Sequence, residues 1–460
     1  MSTPPAATDL DIGRVLDEGA WSVFQKRVLL LASLAFAADG LANQVLGLAI
    51  PALIGAWHVG REAFAPVAAM GLVGVAIGTA LGGIAGDRFG RRWGLIGSTL
   101  LFGTMTAVSA FVGDIDQLLL VRLFAGLGIG GAIPNGAALI SEFTPLRHRS
   151  VAIAIGMVFI PVGGLLSGVL GASILPAFGW RGFFFVGGLA PTLLALVFVF
   201  ILPESPRVLV RQPHRRAQLR ALLGRCGHTV EPSQTFVDEH TTVRHNPLRA
   251  LFGAGMLGNT LALWVGFFFC LLASYTMFSW VPTVLASQGF SLAMTSIGTT
   301  AFHVGGMIGG LAGGWLIARL GSRIAVLGLA AGCVFGALVL GFLPAGAEHG
   351  TLHIVAALVV EGFFIAGLHT GLYTLAAVSY PAFVRASGIG AAAAVGRIGA
   401  VASSYTGVIT LELGGSSSYF IVIAAAAAVS LAAVALINQH IPRRDRTPPA
   451  PAGARRTRTA

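Results

Sequence analysis

Twelve apolar runs divide this chain, and each approaches the roughly 20 residues that a helix needs to cross a bilayer. They lie near 28–50, 66–86, 93–112, 118–141, 151–174 and 180–202, then near 260–286, 293–318, 324–343, 352–378, 387–411 and 418–438. A polar segment at 203–251 separates the first six from the last six. Only 10% of the residues are charged and 55% are hydrophobic, whereas a soluble domain carries about 25% charged residues. The pattern predicts an all-α membrane protein with twelve transmembrane helices in two six-helix lobes. The expected units are an N-terminal segment 1–27, a first lobe 28–202, a central loop 203–259, a second lobe 260–438 and a basic tail 439–460. The tail, rich in Pro and Arg, reads as disordered. The 63 glycines suit closely packed membrane helices.

The first run is a span and not a cleavable signal, because Asp9, Asp11, Asp17 and Glu18 precede it and no small-residue cleavage site follows. The net charge of +11 could suggest nucleic acid, but its distribution argues otherwise. Most of the 29 Lys and Arg residues fall in the N-terminal segment, the central loop, the tail and alternate short loops. The opposite loops hold only Arg61 and Arg181, while Arg122 and Arg397 fall inside spans. That asymmetry predicts both termini and the central loop on the cytoplasmic side of the inner membrane. The basic loops then face anionic lipid, and no nucleic-acid partner is expected. Cys226, Cys270 and Cys333 show neither disulfide nor metal spacing. No nucleophile elbow, phosphate loop or metal motif is present. The reading is therefore of a protein that is not an enzyme, uses no metal or cofactor, and acts as a monomer.

The halves repeat. "GGIAGDRFGRR" (Gly82–Arg92) follows the second run and "GGWLIARLGSR" (Gly313–Arg323) follows the eighth. Both contain Gly-x-x-x-x-Arg-x-Gly-x-Arg, starting at Gly83 and at Gly314. A second pair, "SEFTPLRHRS" and "SYPAFVRASG", places Pro145 and Pro381 four positions before Arg149 and Arg385. Two pseudo-symmetric lobes around a site near the membrane midplane are one transporter plan.

The segment from Gly83 through Asp87, Arg88, Gly90, Arg91 and Arg92 resembles the signature loop of the major facilitator superfamily. "RLFAGLGIGGA" (Arg122–Ala132) is similar to its helix-4 motif, and "PESPR" (Pro203–Arg207) to its end-of-helix-6 motif. Within that superfamily, "SWVPTVLASQGFS" (Ser279–Ser291), "YPAFVRASGIG" (Tyr380–Gly390) and "GRIGAV" (Gly396–Val401) look like the aromatic acid:proton symporters. That branch carries Asp-Gly-x-Asp in its first helix. Here Asp39-Gly40 matches the first half, and Ala42 stands in place of the second acid. His369 stands where related members have Gln.

Ionisable side chains within spans by default mark a pathway or relay. Asp39 lies roughly 16 Å into the first span, near the centre of a ~30 Å core. A carboxyl group held away from water favours its neutral form, so Asp39 is the first candidate for proton coupling. The alternative is a structural acid paired with Arg122. Glu361 is either a second proton site or the partner of Arg397. Guanidinium grips carboxylate bidentately, and Arg397 is the favoured binder because it is deeper than Arg122 and sits in GRIGAV, which resembles the family motif. Arg122 is a second candidate, unless it snorkels to the outer surface. His303 and His369 are further polar candidates, with neutral interhelical histidines as the alternative. Tyr275, Phe278 and Trp280 could hold a planar ring or serve as packing. Asn43 and Gln44 could bond substrate hydroxyls. The Asp87 loop reads as a gate in which Asp87 pairs with a basic residue, joined by Glu142 and Arg149.

The expected function is uptake of a small organic acid, aromatic by the resemblance, together with a proton by alternating access. Rivals are a proton-driven efflux antiporter, a sugar or polyol carrier of the same fold, and a non-transporting receptor.

Overall fold

The computed structural model describes residues 10–228, 236–237, 251–253, 256–343, 351–380 and 384–441. Among these, ten helices are long and apolar enough to cross a membrane. Two of them break midway. Arg149–Ile201 turns at Gly179 (φ 66°), and Arg385–Ala435 turns at Gly414 and Gly415. Each contributes two spans, so the twelve predicted spans are present. Several helices outrun their lipid-length apolar run. The first is Val23–Trp57, begun by a capping box between Ser22 and Gln25. Most of the tail (442–460) and Pro381 lie outside the described residues.

The repeated motif is the same turn made twice. Gly90 ends the second span at φ 107°, ψ 147° and starts the third. Gly321 ends the eighth at φ 81°, ψ 158° and starts the ninth. Positive φ at these values is open to glycine and strained for other residues.

Packing repeats as well. Within the first lobe the first span packs on the fifth, the second on the fourth and the third on the sixth. Within the second lobe the seventh packs on the eleventh, the eighth on the tenth and the ninth on the twelfth. Gly74, Gly78 and Gly82 set the second span against the backbone of the fourth. Gly305, Gly309 and Gly313 do the same for the eighth against the tenth. A Cβ at Gly78 would collide with the Leu127 carbonyl, and one at Gly309 with the Phe363 carbonyl. Small residues in successive helical turns permit this approach.

The lobes meet where the first span touches the seventh, the fifth touches the eighth, and the second touches Arg385–Ala435. The contacts involve Gly47 with Phe278 and Ser279, and Gly168 with Thr300. These residues lie toward the face opposite the basic loops.

On the basic face the segment before the first span is folded onto the first lobe. Helix Ile12–Glu18 buries Ile12 and Leu16 in one cluster with Leu219, Leu222 and Leu223 of the central-loop helix Arg216–Arg225. Leu10–Asp11 pairs in parallel with Phe236–Val237. Trp21 stacks on His148 at 5.1 Å. The N-terminal segment and part of the central loop thus form a cap on the first lobe.

Candidate functional site

A small cavity, part of it open to solvent, lies between the lobes. Its polar and aromatic wall comes from Asn43 and Gln44 of the first span, Arg122 of the fourth, and Tyr275, Phe278 and Ser279 of the seventh. Tyr275, Phe278 and Ser279 share a helix face because they stand three and four positions apart. The Tyr275 and Phe278 rings sit 5.8 Å apart, tilted at 52°.

Arg122 is only 4% exposed, and its Nε and Nη1 have no hydrogen-bond partner. Neither alternative for Arg122 is observed: it makes no ion pair with Asp39, and its guanidinium is buried at the cavity wall instead of reaching the outer surface. A buried cation with unused donors is suited to a planar anion such as a carboxylate.

Arg397 is held differently. Its Nη1 donates to the Tyr275 hydroxyl at 2.9 Å. It interacts electrostatically with Asp39 across the boundary between the lobes, with no ion pair formed. Asp39 is 2% exposed, and its Oδ1 has no partner. It lies one turn before Asn43 on the same helix face. Tyr373 and His369 of the tenth span complete the surroundings of Arg397. Their rings meet edge to face at 5.3 Å, and His369 Nε2 is unpartnered. Tyr373 escapes a search for acidic and basic residues within spans, although it falls one helical turn after His369.

Gln44 stitches the lobes together. Its Nε2 donates to the Phe278 carbonyl at 3.0 Å, and its Oε1 accepts from His303 Nε2–H at 3.3 Å. His303 is buried against Gly164 of the fifth span, with the Phe278 ring 5.2 Å away. It belongs to the seam between lobes, not to the cavity wall.

Two candidates lie elsewhere. Glu361 does not meet Arg397. It faces the ninth span inside the second lobe, where Cys333 Sγ–H donates to its Oε1 at 3.1 Å and Gly336 leaves room for its Oε2. Trp280 is fully buried against Gly407 of the eleventh span. It stands five positions after Tyr275, which turns it to another side of the helix.

In the signature loop Arg91 bonds Asp87 and pairs with Glu142 at 3.7 Å. Glu142 also accepts from the Ser205 hydroxyl. Arg149 stands apart from this network. It pairs with Asp17 of the cap, because the loop after the fourth span turns it toward the N-terminal helix. Arg88 is exposed, with its guanidinium over Phe89, and nothing approaches Gly83. The Arg92 backbone N–H donates to Glu204 Oε1 at 3.1 Å. Glu204 thereby places a carboxylate at the positive N-terminal end of the third span. Glu204 and Ser205 belong to the PESPR segment, so that motif marked them without revealing their partners.

Comparison with known proteins agrees with this architecture. The profile of the Major Facilitator Superfamily matches residues 32–403 and 263–460. The 4-hydroxybenzoate transporter PcaK of Pseudomonas aeruginosa is 32% identical over 90% of this chain and 93% of its own length. The gallate transporter of Pseudomonas putida is 32% identical over 96% and 97%. The solved xylose transporter XylE from E. coli, in a partially occluded inward open conformation, superimposes with a TM-score of 0.68. It shows 19% identity over 89% of this chain and 97% of that one. The chain belongs to the Major Facilitator Superfamily and is a multi-pass membrane transporter.

Proposed function

We propose that the protein imports a small aromatic carboxylic acid together with protons across the inner membrane. The observation that carries this reading is Arg122, a buried guanidinium with unused donors on the wall of an inter-lobe cavity that also presents Tyr275 and Phe278. Arg122 grips the carboxylate, the two rings pack against the planar substrate, and Asn43, with Ser279, bonds its hydroxyl groups. This moves the carboxylate from Arg397, favoured by its depth and its place in GRIGAV, to Arg122, because Arg397 already donates to Tyr275. The names of the two relatives, a 4-hydroxybenzoate and a gallate transporter, support a hydroxylated aromatic acid.

Asp39 carries the proton. Its buried carboxyl has an oxygen without a partner and lies within electrostatic reach of Arg397 on the other lobe. Protonation removes an attraction between the lobes and changes how readily they rock. The basic loops and both termini face the cytoplasm. The contacts between lobes then close the outer side, and the state is inward-facing. The Asp87, Arg91 and Glu142 network stays within the first lobe in this state and gates the inner side. The transporter works as a monomer, needs no cofactor, and Glu361 serves the packing of the second lobe.

The test is uptake of labelled 4-hydroxybenzoate, gallate, benzoate and a short aliphatic acid into proteoliposomes, with and without an imposed pH gradient. Accumulation of the aromatic acids only when the exterior is acidic supports the reading. Movement of none of these acids, or export driven by the same gradient, refutes it.

A further inference from the structure

Tyr275 occupies two environments at once. It lines the cavity together with Arg122, and its hydroxyl oxygen accepts from Arg397. Arg397 in turn interacts with Asp39 on the first span. Tyr275 is thus shared between the substrate cavity and Arg397, whose charge acts on Asp39 across the lobes. The other ionisable groups around Arg397, Tyr373 and His369, are not part of the cavity wall.

We infer that Tyr275 is the positioning residue that transmits occupancy of the cavity to Asp39. This rests on the proton-symport reading above. The phenol oxygen accepts from Arg397, and no hydrogen bond from its own O–H is found among the described residues. That hydrogen is free for an anion or hydroxyl group in the cavity. A hydroxyl that donates becomes a better acceptor, since hydrogen bonds in a chain polarise one another. Bound substrate therefore holds Arg397 more firmly on Tyr275. An empty cavity leaves Arg397 freer to turn toward Asp39. A carboxylate deprived of its counter-charge takes up a proton more readily. Substrate binding thus promotes proton loading, and by reciprocity proton loading promotes substrate binding. Such mutual promotion favours the joint loading that symport uses.

Tyr275→Phe removes the hydroxyl and keeps the ring. Tyr275 also faces the substrate, so in proteoliposomes the variant should exchange labelled for unlabelled 4-hydroxybenzoate at equal pH more slowly than the parent, yet at saturating acid keep a measurable rate against which accumulation is compared. Its accumulation under an acid-outside gradient should fall toward a ratio of 1, and protons taken up per substrate should drop by at least half. Equal accumulation by parent and variant overturns the inference. So does loss of exchange and accumulation in the same proportion, which is what a purely structural or binding role would give. If Tyr275→Phe fails to reach the membrane, Arg397→Lys reads the same contact from the other side. It keeps the charge and loses the fork, and the same split between exchange and accumulation is expected. A parent protein that exchanges the acid but ignores the gradient refutes proton symport itself. An exchanging, gradient-driven parent with an unaltered variant refutes only the role of Tyr275.

Discussion

Gln44 of the first span and His303 of the eighth hold each other across the boundary between the lobes, 3.3 Å from Oε1 to Nε2. The same Gln44 side chain donates to the Phe278 carbonyl on the seventh span. Among the described residues these are the side-chain hydrogen bonds that join one lobe to the other. They lie beside the cavity, on the side that the packed lobes close. Removing one buried hydrogen-bonding partner costs about 1–3 kcal/mol. Gln44→Leu should therefore shift the equilibrium toward the open state of that face by about tenfold or more. A cysteine placed at Thr300 reports it, with labelling by an impermeant maleimide from the outside expected to quicken. Labelling as slow as in the parent would show that the contact does not hold the seam.

Arg122 is the test of anion binding. Arg122→Gln leaves the cavity walled but without its free guanidinium, and charge-assisted hydrogen bonds contribute about 1.5–3 kcal/mol. The apparent KM for an aromatic carboxylate should rise by about 10-fold or more. Competition by the matching uncharged amide should be unchanged. Arg122→Lys should recover only part of the affinity, because a point charge cannot match a planar carboxylate as a fork does.

The paired glycine stripes make a symmetric prediction. Gly78→Leu and Gly309→Leu each push a side chain into a carbonyl of the neighbouring helix, at Leu127 and at Phe363. Even modest overpacking costs about 1–3 kcal/mol. Both variants should lower the thermal midpoint of the purified protein in detergent by comparable amounts. Gly83→Leu, where nothing lies within 4 Å, should leave the midpoint close to that of the parent.

The cap has its own signature. Cys226 closes helix Arg216–Arg225 and is buried, and burial pushes its thiol up to about 11 against the pull of Arg225. The thiol form is favoured in the docked cap. Its contribution to docking is therefore complete below the ordinary cysteine value near 9 and is lost as pH rises through about 11. Alkylation of Cys226 should be slow at neutral pH and accelerate steeply above about pH 9. Leu222→Ala, which opens the cluster around Ile12 and Leu16, should remove most of that protection at neutral pH.

Much of the fold is legible in the sequence because lipid length and charge placement act on whole runs of residues. The repeated glycine motif marks equivalent places in the two lobes, and both copies turn there, at Gly90 and at Gly321. The stripes Gly74, Gly78, Gly82 and Gly305, Gly309, Gly313 carry the second-on-fourth and eighth-on-tenth packing, and among 63 glycines only the packed helices single them out. The cap was not legible, since its buried leucines sit in a segment that reads as a polar loop, and its partners are far away in sequence. In the site, depth along a helix identified Asp39, Arg122 and Arg397, but depth is blind to rotation about the helix axis. Rotation sends Glu361 toward Cys333 and Trp280 toward Gly407, while Tyr275 faces the cavity. For Trp280 the five-residue offset from Tyr275 held the answer. For Glu361 and for the Gln44–His303 contact, only the packed lobes supply it.

Proton coupling through Asp39 is open to a direct test. Asp39→Asn keeps the size and removes the titration. The decisive measurement is 4-hydroxybenzoate transport by this variant in proteoliposomes, read both as exchange at equal pH and as accumulation under an acid-outside gradient. If Asp39 carries the proton, exchange stays close to that of the parent and nothing accumulates above the external concentration. Gradient-driven accumulation at the parent level would contradict it.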